Sequence, residues 1–193
     1  MLPLSSAGRQ WLLVLARGAV EAAAGGKPFD VPPPPGHLPP SDSQELERYR
    51  PAFVSLHKHA RLRGCVGHTV SDLPLRVVVA DMARAAALED SRFPPLTPDE
   101  VPELEIEISV LSPFFSIPPD QIVPGTHGLL VRRGRQHGLL LPQVATIYHW
   151  DSIRFLEETC RKAGLPPDAW KQGAAVQAFT ADLIDESLLT PDS

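Results

Sequence analysis

Cys65 carries the pattern that most invites a chemical reading of this sequence. It sits in Leu62-Arg63-Gly64-Cys65-Val66-Gly67, behind Arg61 and Arg63, with His57, His59 and His68 near it in the chain. Small neighbours give a thiol access and positive neighbours favour its thiolate, so the residue could serve as a nucleophile, a redox centre or a soft metal ligand. The same letters describe a small apolar residue buried at a strand end, the commonest fate of an unpaired cysteine. A lone cysteine fits no transferable catalytic signature, and spacing alone holds the two readings level. The three histidines suggest a metal cluster, but the chain turns between His57, His59 and Cys65. Turn or surface positions are therefore expected for them, and no metal ligand is assigned.

Four further features complete the candidate set. His127 lies between Gly125 and Gly128, where close backbone approach would let it act as a base or hydrogen-bond partner, or else hold a turn. Arg92, in Asp90-Ser91-Arg92-Phe93-Pro94-Pro95, could receive a carboxylate or phosphate in bidentate fashion, or pair with Asp90 and pin its own loop. Gln143 follows Pro142 and could offer its amide to a ligand or to backbone groups at a strand end. Cys65 and His127 are then the candidate catalytic pair, and Arg63, Gly64, Gly67, Arg92 and Gln143 the candidate binding set. The phosphate loop, the dinucleotide glycine fingerprint, the serine nucleophile elbow and the HExxH zinc motif are all absent, and no cofactor is expected.

The elements that must position these residues follow from periodicity. Leu12, Leu15, Ala16, Ala19 and Ala23 repeat at helical spacing, which predicts a helix from Ser6 to Ala24 stopped by Gly25-Gly26. A proline-rich arm at residues 27–40 should run extended over the surface. Residues 51–58 and 61–66 read as two strands, with Cys65 near the end of the second. Ser71 to Pro74 supplies a cap and an early proline for a helix reaching Leu88. Glu103 to Leu111 alternates Leu104, Ile106, Ile108 and Val110 against glutamates, a strand with one wet face. A hairpin is expected from His127 to Leu141, turning at residues 132–135. A helix should follow from Ser152, with Ile153, Leu156, Cys160 and Ala163 on its core stripe. A short helix near Trp170 and one strand within residues 174–184 close the chain. Strands and helices do not alternate one for one, which predicts an α+β fold, a mainly antiparallel sheet flanked by helices, rather than a doubly wound one.

With 193 residues and 43% hydrophobic content, a single domain over residues 1–193 is expected. The net charge of −5 gives no general attraction to a phosphate backbone, so nucleic-acid binding is disfavoured. Two cysteines are too few for a disulfide framework and fit a reducing cytoplasmic setting. The apolar run Trp11 to Ala16 is broken by Arg17, Gly18 and Glu21, and the leader Met1 to Gly8 lacks a basic region, so neither membrane span nor signal is expected.

Several segments together resemble the AMMECR1 family: LRGCVG at Leu62 to Gly67, DSRFPPL at Asp90 to Leu96, LEIEISVLSP at Leu104 to Pro113, GTHGLLV at Gly125 to Val131, GLLLPQVA at Gly138 to Ala145, and WDSIRFLEETCRKAGL at Trp150 to Leu165. The resemblance covers residues 51–186 closely and residues 5–40 loosely. It implies an α+β fold with a larger and a smaller lobe. It also implies membership of an AmmeMemoRadiSam-type system, whose partners would be a Memo-like protein and a radical-SAM protein; analogy of this kind does not fix a reaction. Relatives commonly carry an acidic residue where this chain has Ile147, which removes any role for that carboxylate here. Two functions stay open: a cysteine-dependent group-transfer enzyme using Cys65, or a non-catalytic module that binds a small molecule or a protein with Cys65 as a structural residue.

Overall fold

A computed structural model describes residues 4–188, so the first residues of the leader, and the end of the single-domain span, lie outside it. In chain order the elements are α1 (Ser6–Ala24), α2 (Pro40–Leu46), β1 (Ala52–Lys58), β2 (Arg61–Gly67), α3 (Leu75–Leu88), β3 (Leu104–Leu111) and β4 (Phe115–Ser116). They continue with β5 (Gly128–Arg133), β6 (Gln136–Leu140), α4 (Pro142–Ile147), α5 (Ser152–Lys162), β7 (Ala175–Phe179) and β8 (Ala181–Asp185). The α+β expectation holds, but in place of one sheet there are two four-stranded sheets, ordered β2-β1-β3-β8 and β4-β7-β5-β6. The chain divides accordingly into two compact units, one running to Val110 and resuming at Asp182, the other spanning Leu111–Ala181.

In the first unit, β1 pairs antiparallel with both β2 and β3. Strand alternation sends Val54, Leu56, Ile106 and Ile108 to one face, where α1 and α3 bury them with Leu12, Ala16, Ala19, Val79, Ala83 and Ala86. The hydroxyl of Ser5 caps α1 by accepting the Gly8 N–H, and is itself bonded to the buried carboxylate of Asp42. The cap expected at α3 is different: Ser71 accepts the Leu73 N–H in a local turn, Pro74 precedes the first helical residue, and the Leu75 N–H finds the Arg48 carbonyl at 2.8 Å. A tertiary acceptor thus replaces the side-chain cap. The proline arm is irregular to Pro39, buries Leu38, and ends in α2, a short helix the proline count concealed. Its proline stands at the first helical turn, where a missing N–H costs nothing.

In the second unit, β5 and β6 form the expected hairpin, with Arg133 opposite Gln136 and Gly134 at φ +61° in the turn. Helix α5 is capped by Asp151, whose carboxylate accepts the Arg154 N–H at 2.7 Å. Its buried face is Phe155, Leu156, Thr159 and Cys160; Ile153 is 44% exposed and falls off the stripe assigned to it, because Phe155 sets the face one position around. The single strand expected within residues 174–184 is two strands, β7 and β8, in different sheets. They break at Thr180, whose N–H and carbonyl bond Ser112 instead of a ladder partner.

Candidate functional site

The sheet order leaves β2 at an edge, and the register places Cys65 opposite Ser55, which in turn lies opposite Glu107. Because Val54 and Leu56 face the helices, the row Cys65–Ser55–Glu107 lies on the other face of the sheet. Ser55 is only 6% exposed, and its hydroxyl donates to the Cys65 Sγ at 3.3 Å. The outward-pointing backbone of Cys65 is met by side chains rather than by another strand. Its N–H donates to Asp90 Oδ2 at 2.8 Å and its carbonyl accepts from Arg92 Nη2 at 3.4 Å. Asp90 and Arg92 are joined by two further contacts, Nε to Oδ1 at 2.9 Å and Nη2 to Oδ2 at 2.6 Å, so an ion pair occupies the strand edge beside the thiol.

The electrostatics do not make a thiolate. Burial pushes the Cys65 thiol above its ordinary value; the Ser55 hydrogen bond and the Arg92 charge pull the other way and are outweighed, while Asp90 and Glu107 add to the rise. Two of the nearby arginines are already paired. Hydrogen bonding from Arg92 holds the Asp90 carboxyl far below the usual range, and Arg63 forks onto Glu100 at 3.0 Å through each nitrogen, holding that carboxyl at about 2. Both guanidiniums also lie over the Phe93 ring, Arg63 at 5.9 Å and Arg92 at 5.5 Å. This ties the Asp90-to-Phe93 loop to β2.

Gly64 and Gly67 serve close packing rather than access. A Cβ on Gly64 would stand 2.2 Å from the Ala86 carbonyl oxygen of α3, and one on Gly67 would stand 2.1 Å from the Phe53 ring. His127 and Gln143 belong to the second unit. His127 Nδ1 accepts the Val123 N–H at 3.0 Å while the His127 backbone N–H donates to the Val123 carbonyl, so the residue closes the loop before β5. Phe115 packs edge-on against its ring. Gln143 is half-buried at the start of α4, not at the end of a strand, and Ile147, the last residue of that helix, is 66% exposed. The hydrogen bonds of Cys65 run to Ser55, Asp90 and Arg92.

Cys160 is sealed in the core of the second unit, as its helical position predicted, and both cysteines are free. Among the described residues no group of three His, Cys, Asp or Glu side chains could hold a metal, and His59 instead reaches Glu103 at 2.9 Å. No described helix is long and apolar enough to cross a membrane. Ser55 and Glu100 are the site residues that sequence reasoning left out, while Asp90 entered it as the partner of Arg92, a pairing the structure bears out. Strand parity marks Ser55 as facing away from the core, but nothing local marks it as buried.

Comparison with known proteins agrees with this architecture. A protein of Thermococcus gammatolerans is 40% identical over 190 residues, covering 92% of this chain and 89% of its own. One from Methanosarcina mazei is 43% identical over 150 residues, 75% of each chain. The crystal structure of an uncharacterised protein from Pyrococcus horikoshii superposes with a TM-score of 0.83 at 37% identity, covering 93% of this chain and 92% of that one. The AMMECR1 family model matches residues 13–184, and the chain belongs to the AMMECR1 family.

Proposed function

We propose that this AMMECR1 domain is a recognition module whose docking element is the β2 edge, with Cys65 presented as a neutral thiol rather than a standing thiolate. The observation that carries the reading is the pairing of both candidate arginines, Arg63 with Glu100 and Arg92 with Asp90, around a thiol whose proton is held by burial. A nucleophilic cysteine needs uncompensated positive charge or an adjacent base. Here the ionic groups instead fix the shape of the edge, as a surface recognised by a small molecule or a protein requires. Family membership suggests the partners, a Memo-like protein and a radical-SAM protein of an AmmeMemoRadiSam-type system.

A cysteine-dependent group transfer is favoured by one observation. The Ser55 hydroxyl, with the Arg92 charge near it, would stabilise the sulfur once its proton had left. In that reading Cys65 is the nucleophile and Arg92 orients an anionic substrate. The two readings separate in the rate of iodoacetamide modification across pH, followed by peptide mass spectrometry with Cys160 as internal control. The recognition reading expects slow modification of Cys65 with an apparent pKa above the ~8.5 of a free thiol. Fast modification with a pKa well below that value would replace it with the enzyme reading.

A further inference from the structure

The β1–β2 hairpin violates local rules at one place. Its two-residue turn, His59-Ala60, has φ of 52° and 59°, so both residues occupy the left-handed region without a glycine or asparagine. Immediately beside the turn the register sets Lys58 opposite Arg61, a like-charge cross-strand pair. Local strain and a like-charge pair at one hairpin end are costs that the fold must offset elsewhere, and such costs invite a functional reading. The same residues line an open cleft of about 440 Å³, formed by Lys58, His59, Arg61, Leu62 and Arg63. That volume suits a small-molecule group.

The charges in the cleft are unevenly matched. Lys58 Nζ lies 2.9 Å from Glu103 and 3.9 Å from Glu100, His59 reaches Glu103, and Arg63 is committed to Glu100. The Arg61 side chain is exposed and, unlike its backbone in the β1–β2 ladder, makes no hydrogen bond or ion pair among the described residues. It leaves a net positive charge at the hairpin end of a chain whose overall charge is −5.

We propose that the cleft at the end of the β1–β2 hairpin binds the phosphate group of a small phosphorylated molecule, with Arg61 as its principal donor and Lys58 beside it. A tetrahedral phosphate accepts from several directions at once, which suits a fork on one strand and an ammonium directly opposite it on the next. The carboxylates Glu100 and Glu103 hold Lys58 and Arg63 beside the cleft, while the unpaired Arg61 is left for the ligand. A nucleic acid would need a basic stripe extending well beyond these residues, and the acidic chain offers no general attraction to one. The proposal does not depend on the state of Cys65.

The test is a titration of the full chain with inorganic pyrophosphate at constant ionic strength, followed by amide NMR, with Arg61→Gln and Arg61→Lys alongside. We expect saturable shifts confined to the amides from Lys58 to Arg63, with a Kd of about 1 mM or tighter. Arg61→Gln should weaken binding by about tenfold or more, and Arg61→Lys, which keeps the charge and loses the fork, should bind between Arg61→Gln and the parent chain. Because Arg61 is exposed, the spectrum outside the hairpin should be unchanged in both variants. Shifts that fail to saturate or that scatter over the surface, Arg61→Gln binding like the parent chain, or stronger binding of citrate than of pyrophosphate would each overturn the proposal. So would association with phosphatidylglycerol vesicles in the absence of pyrophosphate binding.

Discussion

Each unit of the molecule holds one cysteine, and the two thiols are protonated for the same reason in opposite surroundings. Burial raises both. Around Cys160 the side chains are the apolar ones of α5 and its sheet, with one backbone hydrogen bond at Trp170, and the adjacent Thr159 hydroxyl turns back to the Phe155 carbonyl at 2.7 Å. Around Cys65 they are a serine, a carboxylate and a guanidinium at a sheet edge. A desolvated thiol is therefore a weak indicator of role, and the polar groups beside it carry the distinction. The units also share a device: Gly64 admits the α3 backbone at Ala86, and Gly138 admits the α5 backbone at Ala163, where a Cβ would come within 2.3 Å of a nitrogen. Only in the first unit does that close approach sit next to a polar site.

Substitution at the shared device is expected to have the largest effect. Gly64→Val drives a side chain into the Ala86 carbonyl, which cannot move without shifting α3, and should cost about 3 kcal/mol or more in urea unfolding. An equal loss in Gly138→Val would show that the two packings are equivalent. A change under about 1 kcal/mol at Gly64 would break the packing account of LRGCVG. Next come the thiols. Cys160→Ser places a hydroxyl in an apolar core and should cost about 2 kcal/mol, whereas Cys65→Ser, beside ready hydrogen-bond partners, should cost less than about 1 kcal/mol. Equal losses would erase the distinction between the two sites.

The ionic setting of β2 predicts a pH effect. Glu100 is held at about 2 in the folded chain, below its value near ~4.3 when unfolded. Its stabilising contribution is therefore complete above the unfolded value and is lost as pH falls from there through about 2. Glu100→Gln should flatten the acid limb of a stability curve in that window and leave the neutral region parallel to the parent; an unchanged acid limb would assign the limb to other carboxylates. The smallest effect is expected at Ile153. Ile153→Ala should lie within about 0.5 kcal/mol of the parent, while Phe155→Ala, in the sealed core, should cost about 3 kcal/mol or more. A large loss at Ile153 would restore it to the core stripe.

Long periodic segments were legible without a structure. Helix α1 has the predicted limits, and β3 alternates as its glutamates require, because each repeats a period over many residues. Element ends were hidden where a tertiary partner supplied what the local sequence lacked. The N-terminus of α3 uses the Arg48 carbonyl, and the break between β7 and β8 uses Ser112. The site shows the same division. Cys65 stood out by its neighbours, yet of the two arginines read as activating it Arg63 is neutralised by Glu100, and His127 bonds its own loop.

By itself the sequence determined the AMMECR1 family, the α+β class and the position of Cys65 on the second strand, since these depend on patterns that neighbouring residues carry together. Only the tertiary structure decided what surrounds the sulfur. Charge compensation depends on which distant carboxylate reaches which guanidinium, as Glu100 does across 37 positions to Arg63. Burial depends likewise on what covers a strand face, and composition along the chain contains neither.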